Sequence, residues 1–356
     1  MTRVNYTEGF FQGKEVFVGM DVHKTNWTLT AICDGEVVYD ATLPADFNRL
    51  DTVLARFKQG RVHTVYEAGG FGFWLHDQLS QRGYDSIVTP PSLVPRMGGK
   101  VKTDRRDSRK LASMLAGGFL KRVYVFTPEE RADRDLVRTR NQIERHRKRS
   151  QLQIKAKLAF YGVASPEDIN DRSWSQEYLQ WIETIPWDYE NLRVAMSHLL
   201  DLFRHLDGQY KALTLNVKQL ARTDKYKERV RILTSVPGIG VFTAMTILVE
   251  LQDVERFRKA DEIASFLGLT PSQHTTSHRT SFGHITRCGN VHLRKALIES
   301  SWTLVRYDKA MMDKYEHLKK QTGSGKKAIV AVARTLAIRI RRLLLDKQEY
   351  ALGVIG

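Results

Sequence analysis

The rhythm of apolar and polar positions changes once along this chain, and the change divides it. Val16-Phe17-Val18-Gly19-Met20 is a short apolar run, and the stretches Trp27 to Ile32 and Glu36 to Leu43 then alternate on either side of the Asp34-Gly35 turn. That is the pattern of a strand meander. Val62-His63-Thr64-Val65-Tyr66 reads as a further strand, followed by the Ala68-Gly69-Gly70 break and a helix from about Phe73 to Arg82. Thr103 to Leu115 carries a helical period through Leu111 and Leu115 and stops at Gly117-Gly118. From Glu129 onward nearly everything reads helical, so the boundary falls at Thr127-Pro128.

Beyond that boundary, Pro128 to about Phe160 predicts one long polar helix through Arg131, Arg134, Arg138, Arg145 and Lys148, with thin apolar support from Leu136, Ile143, Ile154 and Leu158. After a loop at Gly162 to Asp171, Leu192, Leu199, Leu206, Leu213 and Leu220 recur at heptad spacing, with Met196, Phe203, Tyr210 and Val217 at the alternate seam positions. Two readings fit: a coiled coil, or an amphipathic helix packed within its own domain on the preceding basic helix. A last domain begins near Arg229. Its most apolar stretch, Gly238 to Leu251, is too short to span a bilayer and predicts a buried helix. Val236-Pro237-Gly238-Ile239-Gly240 has the form of a helix-hairpin-helix turn, whose backbone N–H groups can hold a phosphate. Ser272 to Gly283 predicts a long hydroxyl-rich loop, after which Ile285-Thr286-Arg287-Cys288-Gly289-Asn290 opens a helix containing Leu293-Arg294.

Charge changes the picture more than length does. The 356 residues suffice for two or three domains, and 56 Lys+Arg against 40 Asp+Glu give a net charge of +16, which favours a polyanionic partner, nucleic acid first. The span from Arg96 to Lys157 alone holds 19 Lys/Arg against 7 Asp/Glu. Cys33 and Cys288 are too few and too far apart for a disulfide framework or a structural zinc site. With no signal pattern at the N-terminus and no membrane span, the expected place is a reducing cytoplasm.

Four carboxylates stand at segment ends within the first third. Asp21 closes the first apolar run and Glu67 closes the Val62 to Tyr66 strand, so both reach one sheet edge. Asp104 and Asp107 open the Thr103 helix at positions i and i+3, which share a face. Hard divalent cations such as Mg²⁺ prefer carboxylate oxygens, and a pair of ions can hold the attacking and leaving oxygens of phosphoryl transfer. The set predicts a metal site of nuclease type.

The motifs Gly19-Met20-Asp21-Val22-His23-Lys24, Glu67-Ala68-Gly69, Lys102-Thr103-Asp104-Arg105-Arg106-Asp107, Val236 to Gly240, Gly268-Leu269-Thr270-Pro271, Ile285 to Asn290 and Ala328-Ile329-Val330-Ala331-Val332-Ala333-Arg334 run nearly end to end. In this set the chain resembles the DEDD-type transposases of insertion sequences, the group that includes the Piv DNA invertase and the bridge-RNA-guided recombinases. The resemblance implies an α/β N-terminal domain of RNase H-like (RuvC-like) fold, expected at residues 1–127. It implies next a helical coiled-coil linker, expected at 128–228 with the basic helix, and a mostly α C-terminal transposase domain carrying a serine loop, expected at 229–356. It further implies that Asp21, Glu67, Asp104 and Asp107 bind Mg²⁺ or Mn²⁺ near the serine of a partner subunit in a homo-oligomer, a dimer or tetramer, and that this composite site cuts and rejoins donor and target DNA. A structured guide RNA would choose both DNAs, in the cytosol at the nucleoid.

The sequence departs from the family pattern at the serine. Members usually carry Ser-Gly in the loop after Gly-Leu-Thr-Pro, and an ungapped count from Pro271 places Thr276-Ser277 there. Ser277 is the favoured nucleophile, Thr276 the second candidate and Ser281 the third. Lys24, Lys102, Arg105 and Arg106 beside the acids, and Arg287, Asn290 and Arg294 beside the loop, are the expected nucleic-acid contacts. Two other readings compete: a RuvC-like structure-selective endonuclease that uses metal-activated water, and a non-catalytic nucleic-acid-binding protein that dimerises through the heptads.

Overall fold

The structure, a computed structural model, describes residues 9–95, 103–276, 279–286 and 288–353. Contacts group Met1–Phe126 into one compact unit and Thr127–Gly356 into a second.

The first unit is built on a five-stranded sheet of β1 (Glu15–Val22), β2 (Asn26–Cys33), β3 (Glu36–Pro44), β4 (Arg61–Glu67) and β5 (Asp85–Thr89), in the spatial order β3-β2-β1-β4-β5. The β1-β2 and β2-β3 pairs are antiparallel, as short connections require, whereas β1-β4 and β4-β5 are parallel. Alternation along β1 sorts its side chains. Val16, Val18 and Met20 are buried in one core with Leu50, Leu54, Leu75 and Leu79 from α1 (Phe47–Leu54) and α2 (Trp74–Gln81). Gly19, of opposite parity, meets α3 (Asp104–Ala116): a Cβ on Gly19 would lie 2.1 Å from the Ser108 carbonyl oxygen and 2.4 Å from the Ala112 nitrogen. The helix backbone therefore rests directly on the strand. A buried Thr30–Ser108 hydroxyl contact of 2.9 Å and a small core of Val65, Ile87, Val94 and Leu111 complete that side of the sheet.

The second unit is helical. Thr127 closes a capping box with Glu130 at the start of α4 (Pro128–Phe160), and Pro128 occupies the first turn, where its missing N–H costs nothing. The helix α6 (Glu190–Ala221) runs antiparallel to α4: Asp207 pairs with Arg147, Tyr210 with Arg140, and Lys225, just beyond α6, with Asp133. The seam residues Met196, Phe203 and Val217 are buried, while Leu192, Leu199, Leu206, Leu213 and Leu220 are half-buried. Met196, Leu200 and Phe203 pack with Ile154 and Leu158 of α4, so the heptads meet a helix of their own chain. A short α5 (Gln176–Thr184), within the stretch that reads helical from Glu129 onward, joins that core through Tyr178, Leu179 and Ile182.

The rest of the unit surrounds α8 (Val241–Leu251), buried along nearly its whole length as its apolar run predicts. Around it lie α7 (Lys227–Thr234), α9 (Ala260–Phe266), α10 (Val291–Tyr307), α11 (Lys309–Thr322) and α12 (Gly325–Asp346). The expected loop from Ser272 to Gly283 is instead a hairpin of β6 (Pro271–Thr276) and β7 (Arg279–Ile285), paired antiparallel from Pro271↔Ile285 to Thr276↔Arg279. Its Thr-rich strands satisfy their backbone groups on each other without the apolar alternation that marks a core strand.

Candidate functional site

Strand parity builds the site. Asp21 shares the parity of Gly19, and Glu67 that of Val65, so both belong to the sheet face that α3 covers, each one residue beyond the last β1-β4 pair, Met20↔Tyr66. The residue after Glu67 is fixed by an Ala68 N–H to Thr89 carbonyl bond of 2.8 Å, which holds the end of β4 against β5. Thr103 caps α3 through its side chain, and Asp104 and Asp107 occupy the first turn, where the helix dipole favours negative charge.

The ligand atoms of Asp21, His23 and Asp104 lie within 4.8 Å of one another. His23 Nε2 is 3.3 Å from Asp21 Oδ2 and 3.9 Å from Asp104 Oδ1. Burial pushes the Asp21 carboxyl above its ordinary value, and Asp104 and Asp107 add to the rise while His23 opposes it. A half-buried carboxylate beside other acids fits a divalent cation, whose charge would offset both the burial and the repulsion that raise Asp21. Glu67 stands at the same sheet edge outside the 4.8 Å group, and Asp107 lies one helical turn from Asp104. His23 was absent from the expected set, and its position inside Gly19-Met20-Asp21-Val22-His23-Lys24 was the only signal for it.

The remaining expected residues fall as follows. Lys24 is exposed in the β1-β2 connection, Arg105 reaches Asp40 of β3 at 3.5 Å, and Arg106 is exposed on the first turn of α3. Lys102, Ser277 and Arg287 lie outside the described residues. Thr276 ends β6, and Ser281 on β7 pairs with His274. The foot of that hairpin is tied down by Thr286 N–H to the Thr270 carbonyl at 2.9 Å and Asn290 N–H to the Phe266 carbonyl at 3.0 Å. Gly289, at φ +145°, fits there because a Cβ would come 2.4 Å from the Phe266 oxygen. Asn290 caps α10 by accepting from the His292 and Leu293 N–H groups and donates through Nδ2 to Glu250. Arg294 donates to the Leu267 carbonyl at 3.0 Å.

Glu250 is a residue that sequence reasoning passed over. It is 1% exposed on α8, accepts two hydrogen bonds from Arg138 at 2.6 and 2.9 Å, and lies 3.1 Å from Arg134. Burial would raise its carboxyl, but Arg138, Arg134 and Asn290 outweigh that and hold it below the usual carboxylate value. The clamp joins α4, α8 and the start of α10.

Comparison with known proteins identifies relatives of both halves of the chain. Residues 18–163 match the DEDD transposase family of the IS110 type, and residues 230–316 match the Transposase IS116/IS110/IS902 family. The chain is 29% identical to the protein y4qE of Sinorhizobium fredii over 82% of its own length and 72% of the relative. It is 25% identical to the transposase for insertion sequence element IS1111A of Coxiella burnetii, over 94% of this chain and 91% of that one. The transposase for insertion sequence element IS1533 of Leptospira borgpetersenii is 25% identical over 71% of this chain and 74% of its own. By class, then, the protein is a DNA transposase, with the mixed sheet followed by helices that is consistent with an RNase H-like enzyme. The chain belongs to the DEDD family of insertion-sequence transposases.

Proposed function

We propose that this transposase mobilises an insertion sequence by cutting and rejoining donor and target DNA, with Asp21, Glu67, Asp104 and Asp107 as its metal-binding acids. The observation that carries the reading is the convergence of Asp21, His23 and Asp104 where two strand ends meet the first turn of α3. Mg²⁺ or Mn²⁺ held there would polarise a phosphate oxygen and offset charge developing on phosphorus. The acids would hold and position the ion, and α3, seated on Gly19, fixes Asp104 and Asp107 relative to Asp21. The hydroxyl of Ser277, or of Thr276 in its place, attacks phosphorus as one bridging P–O bond of the DNA breaks; the hydroxyl proton passes to the leaving oxygen, which departs as a free hydroxyl end, and the phosphoester to protein conserves the bond energy for rejoining. This step rests on the resemblance of the Gly268 to Asn290 segment to family serine loops. The same resemblance supports a RuvC-like first domain, a homo-oligomer in the cytosol and a guide RNA. The net charge of +16 suits both nucleic acids.

The test is incubation with the element's junction DNA, Mg²⁺ and adjacent noncoding RNA, followed by a search for a protease-sensitive protein–DNA adduct in wild type, Ser277→Ala and Thr276→Ala. Loss of the adduct in one variant alone identifies the nucleophile. Cleavage without any adduct assigns the reaction to activated water and removes the hydroxyl from the mechanism.

A further inference from the structure

His23 stands between two of the acids on a support built to hold it. Its backbone N–H bonds the Asn26 carbonyl at 3.0 Å, closing the β1-β2 connection, and its own carbonyl accepts the Trp27 indole N–H at 3.1 Å. Trp27 is 1% exposed, with its ring 5.9 Å from that of Trp74, so the group holding His23 is itself fixed in the core. The imidazole is half exposed, and neither of its contacts to the acids is a short hydrogen bond. Donor atoms that share a cation with bonds of about 2.1 Å stand about 3.0 Å apart when adjacent and about 4.2 Å apart when opposite. Separations of 3.3 and 3.9 Å, with all three atoms inside 4.8 Å, fall in that range.

We infer that His23 Nε2 is a direct metal ligand, which makes the site a mixed nitrogen–oxygen set rather than an all-carboxylate one. This rests on the metal-binding role proposed above for Asp21 and Asp104. The chemical consequence is selectivity. Imidazole nitrogen is a softer donor than carboxylate oxygen and contributes more to transition-metal ions than to Mg²⁺. A site containing it prefers Mn²⁺ to Mg²⁺ beyond what the acids alone would give. The ligand also ties the metal to the β1-β2 connection, so the ion is held from β1, from that connection and from α3 together.

The experiment loads the full-length protein with Mn²⁺ and records electron spin-echo modulation, with Mg²⁺ competition read by the free Mn²⁺ signal. Wild type is expected to show ¹⁴N modulation from a directly bound imidazole. His23→Ala should lose that modulation while still binding Mn²⁺, about tenfold or more weakly, and its preference for Mn²⁺ over Mg²⁺ should shrink. His23→Gln, which keeps a polar side chain without an imidazole, should behave like His23→Ala; circular dichroism confirms that both stay folded. Bound Mn²⁺ without ¹⁴N modulation in wild type, or unchanged affinity and selectivity in His23→Ala, overturns the inference and leaves the acid site standing. Undiminished Mn²⁺ binding in Asp21→Asn overturns the acid site itself, and the inference with it.

Discussion

Gly19→Ala is the smallest change that should disable the acid edge without touching an acid. A Cβ there would sit 2.1 Å from the Ser108 carbonyl oxygen, 2.4 Å from the Ala112 nitrogen and 3.0 Å from the Leu111 Cβ. The first two are helix backbone atoms that cannot rotate away, so α3 must lift by roughly 0.9 Å to reach even a tight contact. Overpacking of this kind costs about 1–3 kcal/mol, which lowers the unfolding midpoint of a unit this size by about 4–12 °C. The lift also stretches the 2.9 Å Thr30–Ser108 contact and carries Asp104 and Asp107 away from Asp21. Because displacement of about 1 Å in a reacting assembly can cost about a hundredfold, metal-dependent DNA cleavage should fall by that order while the protein remains folded. The assay pairs thermal unfolding by circular dichroism with Mg²⁺-dependent cleavage of element-end DNA, and uses Gly70→Ala, where a Cβ meets nothing within 4 Å, as the control. A Gly19→Ala protein with wild-type stability and cleavage would refute the close seating of α3 as the device that places the acids.

Other outcomes follow from the same contacts. Glu250→Gln leaves Arg134 and Arg138 facing a neutral group in a buried site and should destabilise the second unit by about 3–5 kcal/mol in urea unfolding. Because the folded-state value of Glu250 is depressed below 4.5, its contribution is complete above that pH and is lost as pH falls through the lower value. The gap between wild type and Glu250→Gln should therefore narrow in acid, and a gap independent of pH would show that the carboxylate charge is not its source. Gly208→Ala, at an exposed mid-helix position of α6 with nothing within 4 Å of the added Cβ, should stabilise the protein by about 1 kcal/mol; destabilisation would mean that the position is covered. Mg²⁺ or Mn²⁺ should raise the melting temperature of wild type, chelator should reverse the rise, and Asp21→Asn should abolish it.

The acids were legible because a strand end and a helix start are written in apolar periodicity, and parity then assigns Asp21 and Glu67 to one face. His23 was not, since a single histidine in a tight connection has no period, and its approach to Asp104 depends on how α3 crosses the sheet. The strand β5 escaped notice because five residues, Asp85–Thr89, offer too little alternation to separate a strand from a loop. The β6-β7 hairpin was hidden by its polarity, as its strands pair with each other instead of covering a core. Heptads announce a seam but not its partner, and only the contacts of Met196, Leu200 and Phe203 with Ile154 and Leu158 identify α4 as the mate. Glu250 read as one acid in an apolar run; its arginines lie more than a hundred positions earlier, a pairing that no local pattern encodes.

In the proposed reaction the sheet-edge acids hold the metal that supports DNA cleavage. The most direct test compares purified wild type with Asp21→Asn and Asp104→Asn for cleavage of the element's junction DNA in Mg²⁺, with the adjacent noncoding RNA present and equal DNA binding verified by gel shift. Each variant should lose about a hundredfold or more of the cleavage rate with DNA binding retained. Cleavage at the wild-type rate by both variants would contradict that role of the acids and place the chemistry elsewhere in the chain.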